Sequence, residues 1–301
     1  MKLALPFGVK SPPPADPRPR DDELDLYGLT HPGLVREANE DQFLLCTVHP
    51  QVQVHGTSLP EREALEMRGE RLATILLVAD GVGGSAAGKR ASRLATEAVT
   101  RYVASSLRCY HTAGPALNDE FERTLRAAAL EAHESVLSEA ATQPGERGMA
   151  TTLCLGIVVF PWMYVVQVGD SRCYLFQDGV LRQVTRDQTY AEELVEQGVF
   201  SREDAQSSPL AHVLSSAIGA SEALPEITRV DVRRRGCVIL VCTDGLTKHV
   251  SDAEIAQRLG AMTSAEQVSN ELLQLALEGG GSDNITLVVG RALPVRADPA
   301  R

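Results

Sequence analysis

The stretch TTLCLGIVVFPWMYVVQVGDSRCYLFQDG, residues 151–179, decides the fold. Its apolar and β-branched residues come in short runs, Thr151–Phe160, Met163–Val168 and Cys173–Phe176, each of strand length and bounded by Pro, Gly or Asp. Asp178-Gly179 between apolar residues marks a tight hairpin turn. Strands therefore follow one another here with no helix between them. Working outward, Gln42–Val48 and Ala73–Ala79 read as earlier strands, and Ile227–Val232, Cys237–Cys242 and Ile285–Val289 as later ones. Helical periodicity marks Gly88–Leu107, Asn118–Ala140, Tyr190–Gln197, Asp252–Leu259 and Ala265–Leu277. Ser251 with Glu254, and Ser264 with Gln267, have the form of capping boxes. Paired helices, then a run of strands, then helices again do not make the regular alternation of a doubly wound parallel sheet. A layered α+β sandwich is expected.

One domain is expected, residues 23–293. Residues 1–22, rich in Pro, Arg and Asp, and residues 294–301 read as disordered tails. The polar insertion His49–Arg71 reads as a surface loop. The 301 residues are 44% hydrophobic and 23% charged, enough apolar material for a sizeable core, drawn from aliphatics because aromatics are only 4%. A net charge of -11 argues against a nucleic-acid or anionic-membrane binder, and Arg233-Arg234-Arg235 before Gly236 reads as a solvated turn. Cys46, Cys109, Cys154, Cys173, Cys237 and Cys242 form no C-x-x-C pair and mostly lie in apolar runs, so a reducing compartment is expected. The apolar run at the start is too short for a secretory signal, and no segment reaches the ~20 apolar residues of a membrane helix. A cytoplasmic monomer is the expectation.

The informative pattern is carboxylates placed where apolar strands run out. Ala73–Ala79 leads into Asp80-Gly81, Met163–Val168 into Gly169-Asp170, and Cys237–Cys242 into Thr243-Asp244-Gly245. Asp283 stands just before Ile285–Val289, and Glu40-Asp41 just before Gln42–Val48. A strand end holds a carboxylate rigidly while its head faces solvent. Several that converge repel one another unless cations neutralise them. Carboxylates, carbonyls and waters suit Mg²⁺ and Mn²⁺. Each Asp-Gly alone is as well explained by a turn. Five acidic sites at strand boundaries are harder to explain that way together.

Rival chemistries are poorly served. The seven histidines show no clustered zinc spacing, no cysteine has Arg six residues on to cradle phosphate, and no G-x-S-x-G is present. Gly83–Lys89 fits G-x-x-x-x-G-K after a strand and into a helix, but Arg90 stands where Ser or Thr should bind Mg²⁺. Nucleotide binding there is one alternative. Small residues easing a tight strand-to-helix passage is the other.

In order along the chain, Gly33–Asp41, Ala79–Gly84, Gly148–Leu153, Val168–Arg172, Thr243–Leu246 and Ser282–Thr286 resemble the motifs of the PPM family, the type 2C metal-dependent serine/threonine protein phosphatases, most of all its bacterial members. The resemblance covers nearly all of residues 24–291. It implies a four-layer α-β-β-α sandwich with two central antiparallel sheets and two, or three, Mg²⁺ or Mn²⁺ ions at one end. By that likeness Asp80 bridges two ions, with Glu40 and the Gly81 carbonyl on one, and Asp244 and Asp283 on the other. Asp170 pairs with Asp244 at a weaker third ion. Arg36 holds the substrate phosphate and Asp41 positions water. Hydrolysis of phosphoserine and phosphothreonine without a covalent intermediate is implied, with phosphoproteins as substrates and a serine/threonine kinase as the opposing enzyme. Val82, Ser85 and Gln188 stand where relatives often carry histidine, so the proton donor to the leaving oxygen is unidentified. Tyr190–Gly219 corresponds to a flap beside the site, with Ser215 and Ser216 replacing a pattern that often includes Arg. A catalytically silent phosphoprotein-binding module of the same fold is the further alternative. It is opposed by the presence of Asp80, Asp244 and Asp283.

Overall fold

The computed structural model describes residues 17–51, 69–83, 85–113, 118–142 and 148–294. In chain order the strands are β1 (Leu24–His31), β2 (Gln42–Val48), β3 (Ala73–Ala79), β4 (Gly81–Val82), β5 (Ala150–Thr151), β6 (Leu153–Val159), β7 (Trp162–Val168), β8 (Arg172–Gln177), β9 (Val180–Gln183), β10 (Glu226–Asp231), β11 (Val238–Cys242) and β12 (Ile285–Ala292). The helices are α1 (Ser85–Ala113), α2 (Asn118–Thr142), α3 (Tyr190–Glu196), α4 (Arg202–Ser207), α5 (Asp244–Thr247), α6 (Asp252–Ala261) and α7 (Ala265–Glu278). One antiparallel sheet runs β10-β7-β6-β3-β2, the other β1-β12-β11-β8-β9, and β4 pairs with β5 as a small ribbon.

The sandwich follows from strands that are apolar on both faces. All seven residues of β3 are buried. Its Ile75 and Leu77 pack with Ala91, Ala95 and Val99 of α1, whereas Leu76 and Val78 meet Val241 and Val288 of the other sheet. Alternation at period two thus sends one set to the helices and the other between the sheets. β11 repeats the arrangement: Val238, Leu240 and Cys242 face α6 and α7, while Ile239 and Val241 face the first sheet. Each fully buried aliphatic side chain contributes about 1.5–3 kcal/mol, so a strand covered on both faces is firmly placed. That firmness is handed on to Asp80, one residue past the end of β3, and to Asp244, two past the end of β11.

The hairpin at Asp178-Gly179 forms as expected, with φ of 51° and 79° at the two turn residues and Gln177 opposite Val180. Of the two expected capping boxes, the one at Ser251 and Glu254 closes fully. At Ser264 only half forms: the hydroxyl accepts from the Gln267 N–H, but Gln267 Oε1 turns to the Thr263 N–H at 2.8 Å. Sequence reading overlooked β1 and β9, whose polar interruptions leave them half-covered, and the short α4.

Part of the expected leading tail is held against the body. Arg71 donates to the Pro19 carbonyl at 2.7 Å and pairs with Asp21, so the order begins before residue 23. Residues 1–16 and 295–301 of the two expected tails lie outside the described residues, as do 52–68 of the expected loop and Cys109's side chain. Arg71, at the loop's end, is buried. Among the described residues no helix is long and apolar enough to cross a membrane.

Candidate active site

Five chain segments deliver carboxylates to a cleft of about 570 Å³ at one end of the sandwich, lined in part by Arg36, Glu40, Asp80, Asp170, Asp244 and Asp283. Asp80 and Glu40 are fixed through their backbones by neighbours. The Asp80 N–H donates to Thr152 Oγ1 at 3.0 Å, and the Asp80 carbonyl accepts from the Thr151 hydroxyl at 2.8 Å. The Glu40 N–H donates to Asn284 Oδ1 at 2.8 Å, while Asn284 Nδ2 donates to the carbonyls of Pro32 and Ala38. Asn284 therefore pins the loop carrying Arg36, Glu40 and Asp41 to the start of β12. The Thr243 hydroxyl, beside Asp244, donates to Asp41 Oδ2 at 3.0 Å.

Glycines act here by permitting close approach more than by turning the chain. A Cβ on Gly81 would stand 2.4 Å from the Gly88 carbonyl oxygen, and one on Gly245 1.9 Å from the Asn284 oxygen. Asp244 does not sit in a bare turn but opens the helical turn α5. Gly88 belongs to the same device, since its Cβ would lie 1.9 Å from Glu40 Oε2. This accounts for the glycine of Gly83–Lys89 without a nucleotide. Lys89 is exposed and does not line the cleft.

Electrostatics set the chemistry of the cluster. Burial pushes the Asp41 carboxyl up to about 7, with repulsion from Asp244 and Asp283 adding to it. Burial likewise takes Asp170 to about 8, helped by Asp244 and Asp187 and opposed by Lys248. Asp80 is held well above the usual carboxylate range by burial, then by repulsion from Asp41, Asp244, Asp170 and Asp283. Glu40 is raised, again chiefly by burial. These groups resist ionising together unless positive charge comes in from outside. Asp41 Oδ1 and Asp244 Oδ1 are buried without a hydrogen-bond partner, which a folded chain rarely tolerates unless a ligand completes the site. Acceptor-only oxygens in this setting fit a hard divalent cation.

Two internal cations already occupy part of the cluster. Arg36 donates to Asp283 through a two-pronged fork, Nε to Oδ1 at 2.8 Å and an η nitrogen to Oδ2 at 2.9 Å. Lys248 Nζ lies 2.7 Å from Asp244 Oδ2 and 2.7 Å from Asp283 Oδ2. Burial alone would raise Asp283, but these donors outweigh it and hold the carboxyl below its usual range. Arg36, which the resemblance gives a phosphate-holding role, is thus engaged by one of the expected metal ligands. Among the described residues no three carboxylate, imidazole or thiolate groups close on one point as a finished metal cage. Sequence reading overlooked Lys248. The signal available was its spacing, one helical turn after Asp244. It also left the bracing roles of Thr152, Thr243 and Asn284 undrawn.

Other expected positions resolve as follows. Val82 is exposed on the cleft wall, while the side chain of Ser85 lies outside the described residues. Gln188 is buried and structural: its Oε1 accepts from the Gly169 N–H at 2.8 Å and its Nε2 donates to the Leu224 carbonyl at 2.9 Å, bracing the turn that carries Asp170. Ser215 and Ser216 both line the cleft, and Ser216, buried, accepts from the Leu224 N–H. The flap is anchored at both ends by the bridge of Thr189 with Leu214. Its exposed His212 brings an imidazole to the cleft wall.

Comparison with known proteins bears on the whole arrangement. The family model for protein phosphatase 2C matches residues 56–278. The serine/threonine protein phosphatase PstP of Mycobacterium tuberculosis is 35% identical over 217 residues, 72% of this chain but 40% of PstP. The chain thus spans less than half the length of that relative. The serine/threonine phosphatase stp of Listeria monocytogenes is 32% identical over 71% of this chain and 83% of its own length. A crystal structure of the PstP catalytic domain in complex with two manganese ions is similar with a TM-score of 0.67 at 30% identity, covering 90% of this chain and 99% of that one. Another PstP crystal structure gives a TM-score of 0.71. The expected α-β-β-α layering with two antiparallel sheets is therefore the observed one. Arg36, Glu40, Asp41 and Asp283 lie outside the stretch matched by the family model, yet the fold brings Arg36, Glu40 and Asp283 to the cleft where Asp80, Asp170 and Asp244 stand, and buries Asp41 against Thr243 beside it. With its sheets, its cleft and its relatives in agreement, the chain belongs to the protein phosphatase 2C family.

Proposed function

We propose that this chain is a protein-serine/threonine phosphatase dependent on Mg²⁺ or Mn²⁺. The observation that carries the reading is the mutually repelling set of buried Asp41 and Asp170 with half-buried Asp80 and Asp244, in which two carboxylate oxygens lack any donor. Glu40, Asp80, Asp244 and Asp283, with the Gly81 carbonyl, are the groups that would hold two ions, and Asp170 with Asp244 those for a third. Bound there, divalent ions supply positive charge for the phosphoryl oxygens and lower the pKa of coordinated water enough to furnish hydroxide near neutral pH.

The chain's own residues do the rest. Arg36 is on the rim, more than half exposed at its side chain, and its planar fork matches two phosphate oxygens as well as the Asp283 carboxylate. A phosphoserine or phosphothreonine side chain entering the cleft takes over that fork. Asp41 stays fixed by Thr243 and keeps one free oxygen to orient a water for in-line attack. The reaction needs no protein nucleophile. With Val82 where an imidazole could have stood, His212 is the cleft-wall group offered as proton donor to the leaving alkoxide.

Substrates are phosphorylated proteins, made by a serine/threonine kinase of the same compartment. A reducing compartment, the cytoplasm, fits the free thiols of Cys46, Cys154, Cys173, Cys237 and Cys242. The test is hydrolysis of a phosphothreonine peptide with Mn²⁺, with and without chelator. Turnover is expected only with the metal, and Asp80→Asn is expected to lower kcat by about three orders of magnitude, the scale seen when a principal electrostatic group is removed. Wild-type turnover in Asp80→Asn, or turnover that survives exhaustive chelation, refutes the reading.

A further inference from the structure

Lys248 has no counterpart among the roles so far assigned, yet it makes the shortest ion pairs in the cleft. It issues from the end of α5, one helical turn after Asp244, and is largely covered. Its ammonium sits between Asp244 Oδ2 and Asp283 Oδ2, 2.7 Å from each. Those are the two carboxylates expected to share one ion. Asp244 keeps its other oxygen unpartnered, while Asp283 also carries the Arg36 fork and the Asn284 N–H at 3.0 Å.

A divalent ion drawing on the same two oxygens would stand about 2.0–2.6 Å from them, and so within about 5 Å of the ammonium. Like charges that close, in a partly covered site, repel strongly. Ion and ammonium cannot both hold these oxygens in the present geometry. The long, flexible lysine stem, with three rotatable donors, can swing away without moving the backbone. Lys248 also borders an adjoining polar cleft of about 760 Å³, lined in part by Asp170, Asp187 and Asp252, which gives the displaced ammonium acidic surroundings to enter.

We infer that Lys248 is a resident counter-ion that occupies the Asp244–Asp283 site in the metal-free protein and competes with the divalent ion for it. This rests on the proposed metal-dependent reading of the cleft. The lysine neutralises the pair while the site waits, and lowers its affinity for the ion that replaces it. Asp283 Oδ2 also accepts from Arg36, so an ion that draws on this oxygen competes with the Arg36 fork and loosens it for a phosphate.

The experiment measures Mn²⁺ binding to the full chain by the EPR signal of free aqueous Mn²⁺, for wild type, Lys248→Met and Lys248→Arg. Removing the competing charge is expected to tighten binding in Lys248→Met by about tenfold or more, while Lys248→Arg stays near wild type. The melting temperature of chelated Lys248→Met is expected to fall below wild type, and its rise on adding Mn²⁺ to be larger. Lys248→Gln, also neutral, gives the same comparison should the methionine variant aggregate. Unchanged or weaker Mn²⁺ binding in the neutral variants, with the fold intact by circular dichroism, overturns the proposal: Lys248 then braces the ligands instead of competing. If wild type binds no Mn²⁺, the metal reading fails and this inference fails with it.

Discussion

Remove the divalent ions and raise the pH, and the cleft should turn against the fold. In the metal-free protein, Asp41 and Asp170 hold their protons to about pH 7 and 8, and Asp80 is raised as well. In the unfolded chain the same carboxyls titrate near 4. The folded state thus binds more protons than the unfolded one through the interval between. A group whose folded value is raised stabilises fully below the unfolded value, and that stability is lost as pH rises through the folded value. Asp283, held low, works the other way, but its contribution is complete by about pH 5. From pH 5 to 7 the raised carboxyls therefore dominate. Each retained proton costs about 1.4 kcal/mol per pH unit, so each raised carboxyl takes about 3 kcal/mol over that span and the chelated protein should lose at least that much. For a domain of this size that is a fall of about 6–12 °C in Tm. The assay is differential scanning fluorimetry in EDTA at pH 5, 6 and 7, repeated with Mn²⁺, whose binding should flatten or reverse the slope. Asp170→Asn, which cannot ionise, should shrink it. A Tm in EDTA that stays level or rises from pH 5 to 7 refutes the reasoning, as does a slope that Mn²⁺ leaves unchanged.

Two further outcomes test the bracing and the acid side of the reaction. Gly88→Ala places a Cβ 1.9 Å from Glu40 Oε2, so it should cost about 1–3 kcal/mol by thermal melting and weaken Mn²⁺ binding by calorimetry, whereas Lys89→Ala next to it should do neither. His212→Gln should lower turnover of a phosphothreonine peptide by about 10²-fold or more while sparing p-nitrophenyl phosphate, whose leaving group departs without a proton. Equal losses on both substrates would remove His212 from the proton path.

The layers were readable because their strands are apolar on both faces and end abruptly. β2 and β3 fall at the residues read from the sequence, and the boundaries of β6, β7 and β8 differ by a residue or two. β1 escaped notice for a physical reason: as an edge strand beside β12 it is only half-covered, so Asp25, Gly28 and Thr30 interrupt its apolar pattern at little cost. The positions of the carboxylates were legible too, since each sits where an apolar run stops. Their partners were not. Asn284 reaches residues more than 240 positions away, and Thr243 reaches Asp41 across 202, so no local spacing could announce either contact. Lys248 could have been noticed from its helical spacing to Asp244. That it would also reach Asp283 depended on how β11 and β12 pair, which is a property of the sheet.

The site divides into parts that should not move and parts that must. Thr152, Asn284 and Thr243 act on backbone atoms and on Asp41, through hydrogen bonds worth about 1 kcal/mol each that water cannot easily replace where they are buried. Thr152 and Asn284 fix where Asp80 and Glu40 begin and leave those two carboxylate heads free. The heads of Asp244 and Asp283 are held by Arg36 and Lys248, long side chains that can be exchanged for another cation without disturbing a strand. A cluster braced through its own carboxylates would have to break those braces each time an ion or a phosphate arrived. One braced through its backbone, with only mobile cations on its heads, meets both while β3, β11 and β12 stay in place. That separation of rigid support from exchangeable charge would suit these strand ends to the proposed metal-assisted hydrolysis, and it is why Gly88, Asn284 and Thr152 should prove as sensitive as the carboxylates themselves.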